Sequence, residues 1–367
     1  MSTFTLLRDP EAYRALDWDL TADESDREQW LDLFEKVFEQ ITVHARKQYG
    51  RVAERQITEA SEEFAEALEQ IRRDPSSLPA GRLDLMELDK LRDGILRRHH
   101  LDDPFKDVKQ AANARASEQY LDVARRFHEL DVLERWEHLV RGVFAGNLYD
   151  LGSEATLDLA DTPPDFVASV ENVKPRPWLV DDFDALAGDV EGAPPMKWAK
   201  AVLFVDNAGS DFVLGVMPLA RELVLAGTEV VLAANELASL NDMTADETVE
   251  VVERLAALDR DLKAMIDAQM VEVVSTGGTM PVLDLSDVSE ELNAAAQGAD
   301  LVLLEGMGRC VETNWNAQFT VDRLDLAMLK NALVAERIGG ELYDCICRYG
   351  PVETPDADDA TADSGGR

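Results

Sequence analysis

The chain has few cysteines, and their arrangement excludes two common uses of that residue. Cys310, Cys345 and Cys347 are the three cysteines, and none of them stands at a CxxC spacing or beside a histidine partner. A structural zinc site is therefore not expected. Cys345 and Cys347 would lie on one face of a strand, which does not favour a disulfide between them.

Long apolar runs are also absent. No run approaches the length that spans a bilayer, and the opening residues, MSTFTLLRDPEAY, lack the hydrophobic region of a secretory signal. We therefore expect a cytoplasmic protein that does not bind membranes.

Positive charge is scarce throughout the chain. The 36 Lys and Arg residues face 73 Asp and Glu residues, which gives a net charge of −37 at pH 7. Such a charge repels nucleic acid, so nucleic acid is not an expected partner. Lysine is rarer than arginine, and a composition rich in acids and poor in lysine predicts a halophilic protein, because salt screens the self-repulsion. A generically acidic cytosolic protein is the alternative.

Strand patterns are missing before residue 145, and helical patterns take their place. Apolar residues recur every three or four positions from Glu24 onward, as on one face of a helix. Further helical patterns cover about 51–73, 84–98 and 106–145. We predict an N-terminal all-helical domain over 1–152, followed by a proline-rich connecting segment over 153–198.

From residue 199 the pattern changes to short apolar runs that alternate with helical stretches. The predicted strands are 200–205, 229–234, 271–275, 300–304 and 341–348, and the predicted helices are 210–226, 245–258, 287–297 and 323–338. This alternation predicts an α/β fold over 199–350, with a mostly parallel, Rossmann-like sheet flanked by helices. The acidic stretch 351–367 is predicted to be a disordered tail.

Polar residues follow the predicted strands at the edge of the sheet where α/β proteins bind ligands. Asp206 and Asn207 end the first of these strands, at the close of the run AVLFVDN. The other candidates follow later strands or lie in the next loop or helix: Asn235, Asp242, Glu305, Arg309, Asn314 and Lys330. The convergence of acids, amides and cations at one edge favours a functional site.

Taken singly, several of these residues have a simpler structural interpretation. Asp242 or Thr244 would serve well as a helix N-cap, and Asn147 would serve as the C-cap of the last N-terminal helix. Gly306 and Gly308 would permit close packing, and Lys330 would be a solvated helix residue.

Taken together, the residues suit phosphate chemistry that depends on a metal ion. Asp206, Asn207 and Asp242 offer oxygen ligands for magnesium, manganese or a related divalent ion. Arg309 and Lys330 would hold the remaining charge of a phosphate group. Hydrolysis of a phosphate ester is the simplest reaction that this set would support.

Several motifs resemble those of the metal-dependent damage-control phosphatases, formerly domain-of-unknown-function family 89. The motifs are VDNAGSD, ANELASLNDMT, LVLLEGMGRCVETN, DPFKDVK, AGNLYDLG, KPRPWLVDD and GGELYDCICRY. The EGMGR motif is similar to that of the subgroup with plant stand-alone enzymes and the phosphatase domain fused to animal pantothenate kinase. The resemblance covers about residues 100–350.

This resemblance implies metal ligands at Asp206, Asn207 and Asp242. It also implies phosphate or substrate roles for Glu305, Arg309, Lys330 and Asn147, and it thereby reverses the capping interpretation of Asn147. The substrates it implies are small phosphorylated metabolites, notably phosphopantetheine or its oxidised forms, with sugar phosphates in other subgroups. The cofactor it implies is a divalent ion: cobalt, nickel, manganese or magnesium.

We therefore predict a metal-dependent phosphatase with Asp206 and Asp242 as catalytic residues. Asn235 and Asn314 are further candidates for substrate binding. Whether Asp206 attacks phosphorus or only holds the ion is left open, as is the oligomeric state. Two alternatives are an S-adenosylmethionine-dependent carboxyl methyltransferase, which would use the glycines near 306–308 as a cofactor loop, and a non-catalytic protein that binds a phosphorylated metabolite.

Overall fold

Helices dominate the first part of the computed structural model, which describes residues 1–78, 81–148, 165–188 and 198–351. An extended arm comes first, and the helices follow: α1 (Glu24–Tyr49), α2 (Glu54–Arg73), α3 (Leu85–Arg98), α4 (Lys106–His128) and α5 (Val132–Leu148). The 3₁₀ turn Gly50–Ala53 joins α1 to α2. The predicted tail beyond Pro351 and parts of the proline-rich segment lie outside the described residues. No helix in the described ranges is both long and apolar enough to cross a membrane.

The later elements alternate between strand and helix, as the sequence pattern predicts. In chain order they are α6 (Phe166–Asn172), β1 (Val180–Asp181), α7 (Phe183–Ala187), β2 (Lys200–Phe204), the π-helical segment Asp211–Val216, α8 (Met217–Leu225), β3 (Glu229–Ala234), α9 (Ala245–Leu258), α10 (Arg260–Asp267), β4 (Val271–Ser275), α11 (Glu290–Ala295), β5 (Leu301–Glu305), the π-helical turn Gly308–Glu312, β6 (Asp322–Met328), α12 (Ala332–Arg337) and β7 (Cys345–Gly350).

The strands in the described part of the chain form one seven-stranded sheet with the order β1-β7-β6-β5-β2-β3-β4. Neighbouring strands from β6 to β4 are parallel, and β7 runs antiparallel to β6. The chain leaves β2 toward β3 and β4 on one side and returns to β5 on the other side. The carboxyl ends of β2 and β5 therefore flank the point where the strand order reverses, which is where open α/β sheets bind ligands.

Apolar side chains on both faces of the sheet explain why its central strands are continuous apolar runs. On β2, Val202 and Phe204 pack into one core with the arm and helices α1–α3. Ala201 and Leu203 point to the other face and pack with α4, α5 and α8, as the two-residue period of a strand requires. Both groups of N-terminal helices thus pack on the sheet, and a separate domain over 1–152 stays a prediction.

The predicted helix over 323–338 is wrong in its first half. Residues Asp322–Met328 form strand β6, which pairs with β5 and β7, and only Ala332–Arg337 is helical. Charged residues make this strand hard to identify from the sequence, because Arg323 and Asp325 are both buried within it. Their ion pair, with Arg323 Nε 2.8 Å from Asp325 Oδ1, permits that burial.

Candidate active site

The loop after β2 brings the first candidate ligands against the loop after β3. Asn207 and Asp242 form an isolated antiparallel bridge. The Met243 amide donates to the Asp206 carbonyl at 2.9 Å, and the Ala208 amide donates to the Asn241 carbonyl at 2.9 Å. These backbone bonds hold Asp206, Asn207 and Asp242 together at the carboxyl edge of the sheet, as the sequence predicts.

A second set of carboxylates lies behind Asp206. Oxygens of Asp206, Asp211 and Glu305 lie within 4.8 Å of one another, and all three residues are buried. Burial, together with the negative charges of Asp211 and Asp206, raises the pKa of Glu305 well above its usual value. The cluster therefore favours binding of a positive ion or a proton.

Asn147 links two of these carboxylates from the end of α5. Its Nδ2 donates to Asp211 Oδ2 at 2.9 Å and to Glu305 Oε1 at 2.9 Å. Its buried Oδ1 accepts no hydrogen bond from any residue that the structure describes. The Asn147 side chain is thus turned to the site and not to the helix carbonyls. It does not cap α5, which is the role that the residue alone suggests.

Glu305 and Asn207 also hold Asp206 in place. Glu305 Oε2 accepts a hydrogen bond from the Asp206 amide at 3.0 Å. Asn207 Nδ2 donates to Asp206 Oδ2 and to Asp211 Oδ2, each at 3.0 Å. In this geometry Glu305 orients the backbone beside Asp206, and its predicted contact with substrate stays a prediction.

Arg309 lies between the two predicted catalytic acids. Its guanidinium donates to Asp206 Oδ1 through Nη1 and to Asp242 Oδ2 through Nη2, the latter at 2.8 Å. Burial disfavours its charge, but the two carboxylates outweigh burial and raise the pKa of Arg309. Arg309 thus compensates the charge of the carboxylates, whereas the sequence predicts a contact with phosphate.

The two remaining asparagines occupy supporting positions. Asn235 Nδ2 donates to Asp242 Oδ2 at 3.1 Å and to the Met280 carbonyl at 2.9 Å, so Asn235 orients Asp242. Asn314 is buried behind Arg309, where its Nδ2 donates to the Arg309 carbonyl at 3.0 Å. The Tyr13 hydroxyl donates to Asn314 Oδ1 at 2.6 Å. Direct contact of either residue with substrate stays a prediction.

Gly306 permits the close approach of β5 to Asp206. It has a φ of +90°, and a Cβ at this position would overlap the Asp206 carboxylate. The glycine is therefore required both by its left-handed backbone and by the neighbouring acid. These contacts explain it without a nucleotide-binding loop.

A cavity of about 740 Å³ opens onto Asp206, Asn207 and Asp242. Lys330, in the loop after β6, also lines this cavity, and so does Glu312 from the π-helical turn. The opposite wall comes from α1, which contributes Trp30, Leu33, Phe34 and Val37. The cavity therefore joins a charged end at the sheet to a wall on the first helix, where these apolar side chains alternate with polar ones such as Asp32 and Lys36.

The donor set suits a hard divalent ion. Asp206, Asp211 and Glu305 offer carboxylate oxygens. The amide oxygen of buried Asn147 has no hydrogen-bond partner among the described residues. Asp242 lies on the other side of the Arg309 guanidinium from Asp206. Oxygen ligands of this kind are preferred by magnesium and manganese. The repulsion that raises the pKa of Glu305 would be relieved by a cation.

Sequence reasoning missed Asp211, Glu312 and Lys109. Asp211 follows Asn207 by four residues, and residues with this spacing have their side chains on the same face of a helical turn. Lys109 belongs to the motif DPFKDVK, but nothing in the sequence identifies its partners. Glu312 follows the EGMGR motif, and its position on the cavity depends on the π-helical turn.

Comparison with protein families adds an independent observation. The sequence model of one family, the damage-control phosphatase ARMT1-like domain, matches residues 25–346 of the chain. The chain is 41% identical over 296 residues to damage-control phosphatase At2g17340 of Arabidopsis thaliana, covering 80% of this chain and 79% of that protein. It is 32% identical to the 4'-phosphopantetheine phosphatase of Mus musculus, covering 94% of this chain and 48% of that protein.

A solved structure shares the fold. The chain superposes on a DUF89 family protein from Pyrococcus horikoshii with a TM-score of 0.60 at 18% identity, covering 88% of this chain and 97% of that one. The chain spans less than half of some longer relatives, such as pantothenate kinase 2 of Arabidopsis thaliana, of which it covers 42%.

Proposed function

From the premise that the chain belongs to the damage-control phosphatase ARMT1-like domain family, we propose that it hydrolyses phosphate esters of small metabolites at the cavity beside Asp206. The observation that carries the proposal is the meeting of buried acids and an arginine at the reversal point of the sheet, beside a cavity that Lys330 also lines. Family membership does not favour the methyltransferase or the non-catalytic alternative. We further propose that the protein is cytoplasmic, as the sequence predicts.

The metal ligands in this proposal are Asp206, Asn207 and Asp242, with Asp211, Glu305 and Asn147 supporting them. A divalent ion held there supplies positive charge that stabilises the phosphoryl group as its bonds exchange. Manganese, magnesium, cobalt and nickel are all compatible with an oxygen-rich set of ligands, so the experiment below compares the four metals.

The phosphate group is bound by cations of the chain. Lys330 lines the cavity together with Asp206 and Asn207, and its positive charge acts on Glu312 in the same cavity. Arg309 adds a planar guanidinium that is fixed between two acids. These charges favour a dianionic phosphate over a neutral ligand. The oxygen that attacks phosphorus comes either from the Asp206 carboxylate or from water.

The shape of the cavity favours an elongated substrate. About 740 Å³ is more than a phosphate group fills, and α1 lines it with the apolar side chains of Trp30, Leu33 and Val37 as well as with Asp32 and Lys36. The apolar side chains can pack on the carbon chain of a long ester, which a compact sugar phosphate lacks. We therefore propose phosphopantetheine or one of its oxidised forms as the substrate, ahead of sugar phosphates.

The proposal is tested with Asp206→Asn, which removes one charge while keeping the shape of the side chain. We expect the affinity for manganese to fall by at least about tenfold and phosphate release to be abolished, because a principal ligand is lost. Calorimetry measures the affinity, and phosphate release is measured on 4'-phosphopantetheine, fructose 6-phosphate and 4-nitrophenyl phosphate with each of the four metals.

Glu229→Gln is the matched control, since it removes an exposed carboxylate at the other end of the sheet. This variant should keep both metal affinity and activity. Full metal-dependent activity in Asp206→Asn would contradict the assignment of the site. Faster release from fructose 6-phosphate than from 4'-phosphopantetheine would contradict the substrate assignment alone.

A further inference from the structure

Glu312 is a carboxyl group in the cavity that the proposed metal and phosphate ligands leave without a role. It ends the π-helical turn Gly308–Glu312, which follows β5 and carries Arg309 at its second position. Glu312 lines the same cavity as Asp206, Asn207 and Lys330. No hydrogen bond to its carboxyl group comes from the residues that the structure describes. The carboxyl is therefore available to a bound molecule.

Glu312 lines the cavity together with residues of the sheet edge and of the N-terminal helices. It is close enough to Asp206, at the charged end, and to Asp89, on α3, for both carboxylates to act on it electrostatically. Asp89 lines the cavity on the side of the N-terminal helices. A substrate with its phosphate at Asp206 and its tail toward α1 and α3 would occupy the cavity that Glu312 lines.

The surroundings of Glu312 in this cavity favour the protonated form of its carboxyl group. Burial and the negative charges of Asp89 and Asp206 raise the pKa of Glu312 to about 8, and the positive charge of Lys330 opposes them only in part. The other charged groups that line this cavity are Asp32 and Lys36 on α1, Arg92 on α3 and Asp242 after β3. A carboxylic acid in this state can donate a proton to a leaving group.

We propose that Glu312 is the general acid that protonates the leaving alcohol. This inference rests on the proposed phosphatase function and adds a catalytic residue to it. As the bond between phosphorus and the ester oxygen breaks, the Glu312 proton moves to that oxygen, and the alcohol leaves uncharged. The attacking oxygen bonds to phosphorus, and Glu312 regains a proton from water after the alcohol has left. The net reaction consumes one water and yields an alcohol and phosphate.

The test compares two esters whose leaving groups differ in their need for a proton. The alcohol of 4'-phosphopantetheine would leave as an unstable alkoxide, whereas 4-nitrophenolate is stable as an anion. In Glu312→Gln, we expect kcat for 4'-phosphopantetheine to fall by about 10²-fold or more, with KM unchanged. The kcat for 4-nitrophenyl phosphate should change by less than about threefold. Glu312→Asp should recover part of the lost activity.

Two further measurements separate this role from others. Glutamine has the shape of the neutral acid, so the melting temperature of Glu312→Gln at neutral pH and its affinity for manganese should match those of the wild type. Asp32→Asn is the control, because Asp32 lies on the α1 wall of the cavity and pairs with Arg72 at 2.8 Å. The ratio of the two ester activities should not change in Asp32→Asn.

The outcomes distinguish this inference from the function on which it rests. A selective loss of alkyl-ester hydrolysis supports Glu312 as the proton donor. Equal losses on both esters, no loss, or a lower affinity for manganese in Glu312→Gln would overturn that role and leave the phosphatase function intact. A wild-type protein that hydrolyses neither ester with any of the four metals would overturn both.

Discussion

Lys109 is a lysine with no exposed surface, held by carboxylates from two elements. Its Nζ lies 3.1 Å from Asp103 Oδ2 and 2.8 Å from Glu247 Oε1. The same atom donates to the Asp242 carbonyl at 3.3 Å. Glu247 belongs to the capping box at the start of α9, directly after the loop that carries Asp242. Lys109 therefore fixes this loop to α4.

Lys109→Met should destabilise the protein strongly. Methionine retains most of the apolar volume but leaves the partly buried carboxylates of Asp103 and Glu247 without their partner. The loss of these charged contacts lowers the free energy of unfolding by about 1–3 kcal/mol. Urea denaturation at neutral pH measures the change.

Lys106→Met is the matched control, because Lys106 lies on the same helix and is exposed. Its free energy of unfolding should stay within about 0.5 kcal/mol of the wild-type value. Equal effects of the two substitutions would show that the buried contacts of Lys109 contribute nothing beyond an ordinary surface charge.

Single residues differ in how far the sequence predicts their roles. Asp206, Asn207 and Asp242 follow apolar strands, and the geometry of parallel strands places them at one edge. Lys109 is different, since its partner Glu247 lies 138 residues further along the chain. Glu312 depends on local backbone geometry at a π-helical turn, which the apolar pattern does not encode.

At the scale of elements, α5 packs directly on the π-helical segment that begins with Asp211. A Cβ on Gly146 would lie 2.8 Å from the Asp211 Cα and 3.0 Å from the Ser210 carbonyl oxygen. A Cβ on Gly215 would lie 3.1 Å from the Gly142 carbonyl oxygen. The backbones thus touch, and this contact sets the distance between Asn147 and Asp211.

Gly146→Ala should push these two elements apart. Backbone atoms face the added methyl group, so we expect a destabilisation of about 1–3 kcal/mol, as in other overpacked cores. The manganese affinity should fall as well, because Asp211 belongs to the carboxylate cluster. Thermal unfolding and calorimetry measure the two effects.

Gly94→Ala, within α3, is the control for glycine replacement in a helix. Its Cβ would meet nothing nearer than Arg98 Nη1, at 3.4 Å. Alanine should therefore stabilise α3 by about 0.5–1 kcal/mol. A stabilising effect of Gly146→Ala would contradict the close packing of α5 on the segment after β2.

Elements were predictable where apolar periodicity alone determines them. The bounds of β3, β4 and α9 agree with the predicted 229–234, 271–275 and 245–258. The failure at β6 has a physical cause, since a sequence pattern assigns charged residues to a solvent-exposed face, whereas Arg323 and Asp325 are buried in the sheet as an ion pair. The short strand β1 lies in a proline-rich segment and forms by pairing with β7, a partner distant in the chain.

At the scale of the whole molecule, a net charge of −37 must be tolerated by the folded state. Ordinary screening is almost complete at 1 M salt, where the Debye length is about 3 Å. If the protein is halophilic, we expect its melting temperature to keep rising between 1 and 3 M potassium chloride, measured by scanning calorimetry. A plateau or a fall above 1 M would contradict the halophilic interpretation, and sucrose at matched osmolality controls for solute exclusion.

The order of strands and helices in the sequence predicts the class of the fold, but it does not predict how the N-terminal helices pack. Alternating strands and helices restrict the later half to a parallel sheet. The N-terminal helices carry amphipathic faces, and such a face does not state which surface it covers. The sequence therefore does not predict that the helices of Phe34 and Phe127 pack in different cores.

The arm at residues 2–8 has a consequence for the time course of folding. The amide of Phe4 donates to the Leu285 carbonyl at 2.8 Å, and the amide of Arg8 donates to the Gln318 carbonyl at 2.9 Å. These contacts close loops of more than 280 residues, and such closure is slow. During synthesis the arm must wait for partners made more than 280 residues later, so the arm is placed late and the core beside Phe204 stays incomplete until then.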